Sequence, residues 1–191
     1  LISPKGKIIV IAAPSGAGKT TLVRSALAEF PQIVFSISAT TRKKRTNEKD
    51  GIDYFFITEE EFLNKIEKKQ FVEWEKFYDY YYGTYKYFID DNINSGKNIL
   101  LEIDVKGALS IKKIYPEAYL IYIAPPSKEE LINRLKKRQT ETDQDLKKRI
   151  ERIELELSMK DKFDYILINN ELNKATSEMK ILINNLLTKG E

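Results

Sequence analysis

At 191 residues the chain is long enough for one sizeable core with appendages, but short for two independent domains. With 42% hydrophobic and 32% charged residues it has a globular rather than a disordered make-up, and 32 Lys+Arg against 29 Asp+Glu is too small an excess to call for nucleic acid. The absence of cysteine and histidine excludes disulfides, thiolate chemistry, imidazole bases and His or Cys metal sites, which leaves any chemistry to Lys, Arg, Asp, Glu, hydroxyls and backbone.

In chain order, "KIIVIAA" (7–13) is a β-branched, nearly continuous apolar run, the pattern of a strand buried on both faces of a parallel sheet. A helix is predicted from about Lys19 to Phe30. Over 36–92 the alternation breaks: "DYFFI" and "QFVEWEKF" read as short strands around a helix at 59–69, an insertion with a small sheet of its own. Buried strands resume at "NILLEID" (98–104), "AYLIYIA" (118–124) and "DYILIN" (164–169), with helices at about 85–95, 106–114, 127–138, 143–160 and 172–188. Thr58 with Glu61, and Ser127 with Glu130, match the capping box. The alternation predicts an α/β fold built on a parallel sheet flanked by helices. No apolar run approaches the ~18 residues that span a bilayer, and no signal-peptide pattern opens the chain. A cytoplasmic protein without membrane contact is expected.

"APSGAGKTTL" (13–22) lies between the first strand and the first helix. Gly18, Lys19 and Thr20 end the pattern G-x-x-x-x-G-K-[ST], in which backbone N–H groups curl around phosphates, the lysine reaches the terminal ones and the hydroxyl holds Mg²⁺. Ala13 stands where the pattern begins with glycine; a methyl group is tolerable there if φ stays negative, whereas Gly16 and Gly18 lie where the backbone must bend toward the ligand. Pro14, Ser15, Gly16, Ala17, Gly18, Lys19, Thr20 and Thr21 are thus the candidate phosphate site, at a helix N-terminus that favours anions; motors, GTPases, transporters and small-molecule kinases share such a loop.

Arg42 and Arg45 in "TTRKKR" offer a second phosphate site, because guanidinium groups pair bidentately with phosphate oxygens; a solvated basic hairpin or a nucleic-acid patch fits the run equally well. Glu102 and Asp104, two apart at the end of a buried strand, point to one face at the end where open parallel sheets bind ligands. Neighbouring helix N-termini or lysines would satisfy them too. The charged stretch 134–149 carries Arg134 and Arg138 at i and i+4, a pair suited to closing over phosphates or to a solvated face.

The run "SATTRKKRTNEKDGIDYFF", together with "FVEWEKFYDYYYGT", "LEIDVKGA" and "IAPPS", resembles the guanylate kinase family over nearly the whole chain. The resemblance implies a P-loop NTPase-type core (1–35, 93–126 and 151–191), a GMP-binding insertion (36–92) and a helical lid (127–150). It implies transfer of the γ-phosphoryl group of ATP to GMP, with Mg²⁺ as cofactor and dGMP as a further acceptor to test. No nucleic-acid partner is expected, and the protein is expected to be a monomer or homodimer. Ser38, Glu73 and Thr84 would meet the guanine base, with Gly83 beside them; Arg42, Arg45, Tyr54 and Tyr82 would meet the GMP phosphate, with Glu48 supporting the arginines. Glu102 and Asp104 would lie beside the nucleoside and Mg²⁺-bound water, Asp104 as a base or metal-linked group. Arg134, Arg138 and Arg149 match the lid arginines, and Asn169 an adenine contact. Where the family often reads R-G-T-E, this chain has Gln139 after Arg138, which puts a stiffer hinge in the lid.

Overall fold

The computed structural model describes residues 5–77, 79–136 and 143–188; of 134–136 and 143–149 it describes the helical backbone only. Five parallel strands form the central sheet in the order β2-β7-β1-β8-β9: β1 (Ile8–Ala12), β2 (Val34–Ser36), β7 (Ile99–Ile103), β8 (Tyr119–Ala124) and β9 (Tyr165–Ile168). The middle strands are almost wholly apolar, with Glu102 near the end of β7 the charged exception, because both faces are covered. All five residues of β1 are buried, the odd ones packing with α1 (Lys19–Glu29) and α7 (Leu172–Thr188), the even ones with α3 (Lys86–Asn94) and α4 (Val105–Ile114). Each such isoleucine or leucine contributes about 1.5–3 kcal/mol by leaving water, so the sheet is a firm base for whatever sits on its carboxyl ends.

A second, four-stranded sheet, in the order β4-β3-β6-β5, comes from the middle of the chain: β3 (Ala39–Thr40), β4 (Phe55–Phe56), β5 (Phe71–Phe77) and β6 (Tyr80–Tyr85). Helix α2 (Glu59–Glu67) starts at the expected capping box, with Thr58 and Glu61 each bonding the other's backbone N–H, and packs Phe62 into an aromatic cluster with Phe71 and Tyr85. At Ser127 the hydroxyl accepts the N–H of Glu130, ahead of α5 (Lys128–Lys136); α6 (Asp143–Ser158) follows. Among the described residues no helix is long and apolar enough to cross a membrane.

Several elements differ from expectation. β2 adds an edge to the central sheet, pairing with β7. The predicted strand "DYFFI" shrinks to two residues. "YYYGTY", with no predicted element, is an inner strand of the small sheet, pairing antiparallel with β5 and β3. The last predicted helix turn before β9 is a separate 3₁₀ turn at Lys160–Lys162.

Candidate functional site

The phosphate loop follows β1 and opens α1. Gly16 and Gly18 adopt φ of 91° and 90°, where a side chain is disfavoured, and Gly18 caps the helix without any side-chain bond to its first N–H groups. Lys69 is the one non-glycine residue with positive φ among the described residues, so Ala13 keeps an ordinary backbone and its methyl is buried in the core. Lys19 Nζ donates to the carbonyl of Ile103 at 2.7 Å, and the hydroxyl of Thr20 donates to Glu102 Oε1 at 2.6 Å. The loop therefore brings Lys19 and Thr20 to the end of the neighbouring strand β7.

The loop forms one side of a cleft of about 420 Å³ that Ser38, Tyr54, Glu73, Tyr82, Gly83, Glu102 and Asp104 also line. Glu73 sits on β5 just after a one-residue bulge: Phe71 pairs with Tyr85, but Glu73 pairs with Thr84. The extra residue lets Phe71 join the aromatic cluster and Val72 the main core while Glu73 turns to the cleft. Fully buried Thr84 donates its hydroxyl to Glu73 Oε1. Burial pushes the Glu73 carboxyl up to about 7, against the bond from Thr84 and with help from the charge of Asp104. Gly107 makes room for it, since a Cβ there would lie 2.8 Å from Glu73 Oε2.

Arg42 grips Glu48 with both guanidinium nitrogens, at 2.7 and 3.0 Å, and lies 5.5 Å from the Tyr54 ring centre. Tyr54 packs edge-on to Tyr82, and burial raises its hydroxyl to about 12. The bond from Arg42 holds the Glu48 carboxyl below its usual range. The Arg45 side chain is exposed; its backbone N–H donates to Glu48 Oε2 at 2.8 Å. Asp104 caps α4, Oδ1 accepting from the N–H groups of Lys106 and Gly107 at 2.8 and 2.9 Å. One oxygen of this carboxylate is thus a structural cap, as a helix N-terminus beside it allowed.

Asn169 is buried beneath the phosphate loop, where Nδ2 donates to the carbonyl of Ala17 at 2.8 Å, and it does not line the cleft. The side chains of Arg134, Arg138 and Arg149 lie outside the described residues. Residues the sequence did not single out also line the cleft: Glu75 and Phe77 on β5, and Arg152 and Glu156 on α6. Strand alternation from Glu73 would have found the first two, and helical i, i+4 spacing joins the second two.

Known proteins share this arrangement. A family model described as guanylate kinase matches residues 5–186. The guanylate kinase of Thermotoga maritima is 48% identical over 179 residues, which cover 94% of this chain and 86% of that protein. That of Chlorobium chlorochromatii is 46% identical over 187 residues, covering 97% and 98%. A crystal structure of guanylate kinase from Anaplasma phagocytophilum matches with a TM-score of 0.78 at 28% identity, covering 100% of this chain and 90% of that one. With a phosphate loop at the head of its parallel sheet and these relatives matching along nearly its full length, the chain belongs to the guanylate kinase family and is a nucleotide-binding kinase.

Proposed function

We propose that the protein transfers the γ-phosphoryl group of ATP to GMP, giving ADP and GDP for cytoplasmic purine nucleotide supply. The observation that carries this reading is that one cleft is lined both by a phosphate loop and by Glu73, whose carboxylate accepts the hydroxyl of the buried Thr84 behind it. Guanine presents N–H donors at N1 and N2, which the Glu73 carboxylate accepts, and acceptors at O6 and N7, which the hydroxyl of Ser38 serves; Thr84, expected at the base, gives its one hydroxyl hydrogen to Glu73 and so acts through that carboxylate. Adenine lacks the 2-amino donor and leaves that carboxylate unpaired, a cost of about 1–3 kcal/mol or more.

In this reading Arg42, Arg45, Tyr54 and Tyr82 hold the GMP phosphate, and Glu48 orients Arg42. A GMP phosphate oxygen attacks the γ-phosphorus in line; the new P–O bond forms as the bridge to the β-phosphate breaks, and ADP leaves. Lys19 and the loop amides hold the ATP phosphates, and the lid arginines Arg134, Arg138 and Arg149 stabilise the charge in transfer. Such catalysis rests on positioning and charge neutralisation rather than covalent help. The core, the insertion at 36–92 and the lid at 127–150 then move as three parts around the two nucleotides.

The oxygen donors at the loop suit Mg²⁺. Thr20 and Glu102 are hydrogen-bonded there, while no group of three or more acidic side chains able to cage a metal occurs among the described residues. That fits an ion held chiefly by phosphates and water, with Thr20 as its protein ligand and Glu102 and Asp104 beside its waters. When bound, the ion draws negative charge from the phosphates. The test is ADP release from Mg·ATP with GMP, AMP, CMP, UMP or no acceptor. Turnover with GMP alone is expected, and turnover with another monophosphate instead would discard the guanine reading.

A further inference from the structure

The strand that carries Glu73, β5, is an edge strand with a backbone partner on one side only, β6, and its ladder is interrupted by the bulge immediately before Glu73. On the open side its place in the cleft is set by side chains. Three of them, Glu73, Glu75 and Phe77, follow one another along the cleft side of the strand.

Arg152 of α6 meets two of the three. Its Nη2 donates to Glu75 Oε2 at 2.7 Å, and its guanidinium carbon lies 4.4 Å from the ring centre of Phe77. Its Nε donates to Glu156 Oε1 at 2.8 Å, one turn along the same helix, so the guanidinium is itself held in place. Little of this pair is wet: the side chains of Arg152 and Glu75 are 22% and 21% exposed, and that of Glu156 is 4% exposed. The other cation near Glu75, Lys106 of α4, lies 3.9 Å away and is 52% exposed, a contact that water screens. Of these two cationic attachments of β5, Arg152 is the shorter and the less exposed.

We propose that Arg152 is a positioning residue for the guanine end of the cleft, fixing edge strand β5 against α6 through Glu75 so that Glu73 is presented to the base. The inference rests on the GMP reading above. It also makes α6, which emerges from the segment read as the lid, the element against which the base-reading strand is set.

The test is steady-state kinetics on the full chain, with GMP varied at saturating Mg·ATP and the reverse, for wild type, Arg152→Gln, Glu75→Gln, the double variant and Arg152→Lys. Arg152→Gln should raise KM for GMP about tenfold, the scale of coupling between charged side chains in contact, with KM for ATP within about twofold. Glu75→Gln should act alike, and the double variant should be no worse than either single change, because the pair works as a unit. Arg152→Lys should fall between, since an ammonium lacks the planar fork that joins two carboxylates. Should Arg152→Gln fail to fold because Glu156 is left buried and unpaired, Arg152→Gln with Glu156→Gln carries the same expectation.

An unchanged KM for GMP in a folded Arg152 variant would overturn the inference while leaving GMP turnover intact. So would parallel rises in both KM values with a lowered Tm, the mark of general loosening. Wild-type protein that does not turn over GMP at all would remove the functional reading, and this inference with it.

Discussion

Glu73→Gln separates what the cleft costs from what it does. The carboxyl is pushed by burial from the ordinary 4.5 to about 7. The folded value is raised, so the folded protein binds the proton more tightly than the unfolded chain, and the charge on Glu73 destabilises the fold progressively as pH rises from 4.5 through about 7. At 1.36 kcal/mol per pH unit the full penalty is about 3 kcal/mol, reached above neutrality. A glutamine keeps the acceptor oxygen for Thr84 and never ionises. The variant should therefore be more stable than wild type at about pH 8 by up to about 3 kcal/mol, or roughly 6–12 °C in Tm for a chain of this size. The advantage should vanish by about pH 4, below both titrations. Activity should move the other way, KM for GMP rising about ten- to hundredfold, the worth of hydrogen bonds to a charged group. Paired Tm and denaturant curves at the two pH values, with GMP kinetics, check both halves. A variant no more stable than wild type at the higher pH would refute the burial argument, and an unchanged KM for GMP would refute the base-reading role.

The same carboxyl gives wild type a pH dependence: KM for GMP should fall about tenfold from about pH 6 to about pH 8 as Glu73 sheds its proton near 7. Glu73→Gln, measured beside it, should retain only the part due to the nucleotide's own phosphate. Gly107→Ala puts a Cβ 2.8 Å from Glu73 Oε2 and 3.2 Å from its Cδ, so the carboxylate must move. Alanine is the better helix former by about 1 kcal/mol, so Tm should hold or rise while KM for GMP increases about tenfold and KM for ATP stays put. Ala13→Gly should cost about 1–2 kcal/mol of stability, through added freedom of the unfolded chain and the loss of a buried methyl. Its KM for ATP should stay within about twofold of wild type, because the loop needs no positive φ at Ala13.

How legible each part was depends on how local its cause is. β1, β7 and β8 stand out because both faces are buried, which leaves a nearly continuous apolar run. β2, β3 and β4, at two or three residues, are too short for any periodicity to register. β6 hides for another reason: Tyr81 packs on the aromatic cluster while Tyr82 lines the cleft, so both faces carry the same residue type and no alternation appears. The phosphate loop was legible because its conformation is written in consecutive residues. The bond from Arg152 to Glu75 spans 77 positions and has no local signature at either end. Asn169 shows what a motif leaves out: its place in the sequence suggested an adenine contact, and nothing there announced that its amide also donates to the carbonyl of Ala17 beneath the loop.

The two sides of the cleft solve opposite electrostatic problems. At the phosphate loop the uncapped N–H groups of α1 and the charge of Lys19 await an anion, which satisfies donors that water otherwise serves. Along β5 and its neighbours, Glu73, Glu75, Asp104 and Glu156 repel one another, and burial raises the Glu73, Glu75 and Glu156 carboxyls above their ordinary range. Arg152 relieves two of them, Glu75 and Glu156, by direct bonds. Glu73 keeps only the neutral hydroxyl of Thr84 as its side-chain donor, so it is the carboxylate with most to gain from an incoming N–H pair. Guanine would bring that pair and adenine would not. A cationic partner for Glu73 inside the protein would ease the fold and erase the difference between the two bases. On the proposed function the burial cost at Glu73 and the selectivity for guanine are one property, and a substitution that relieves the first should be paid for in the second.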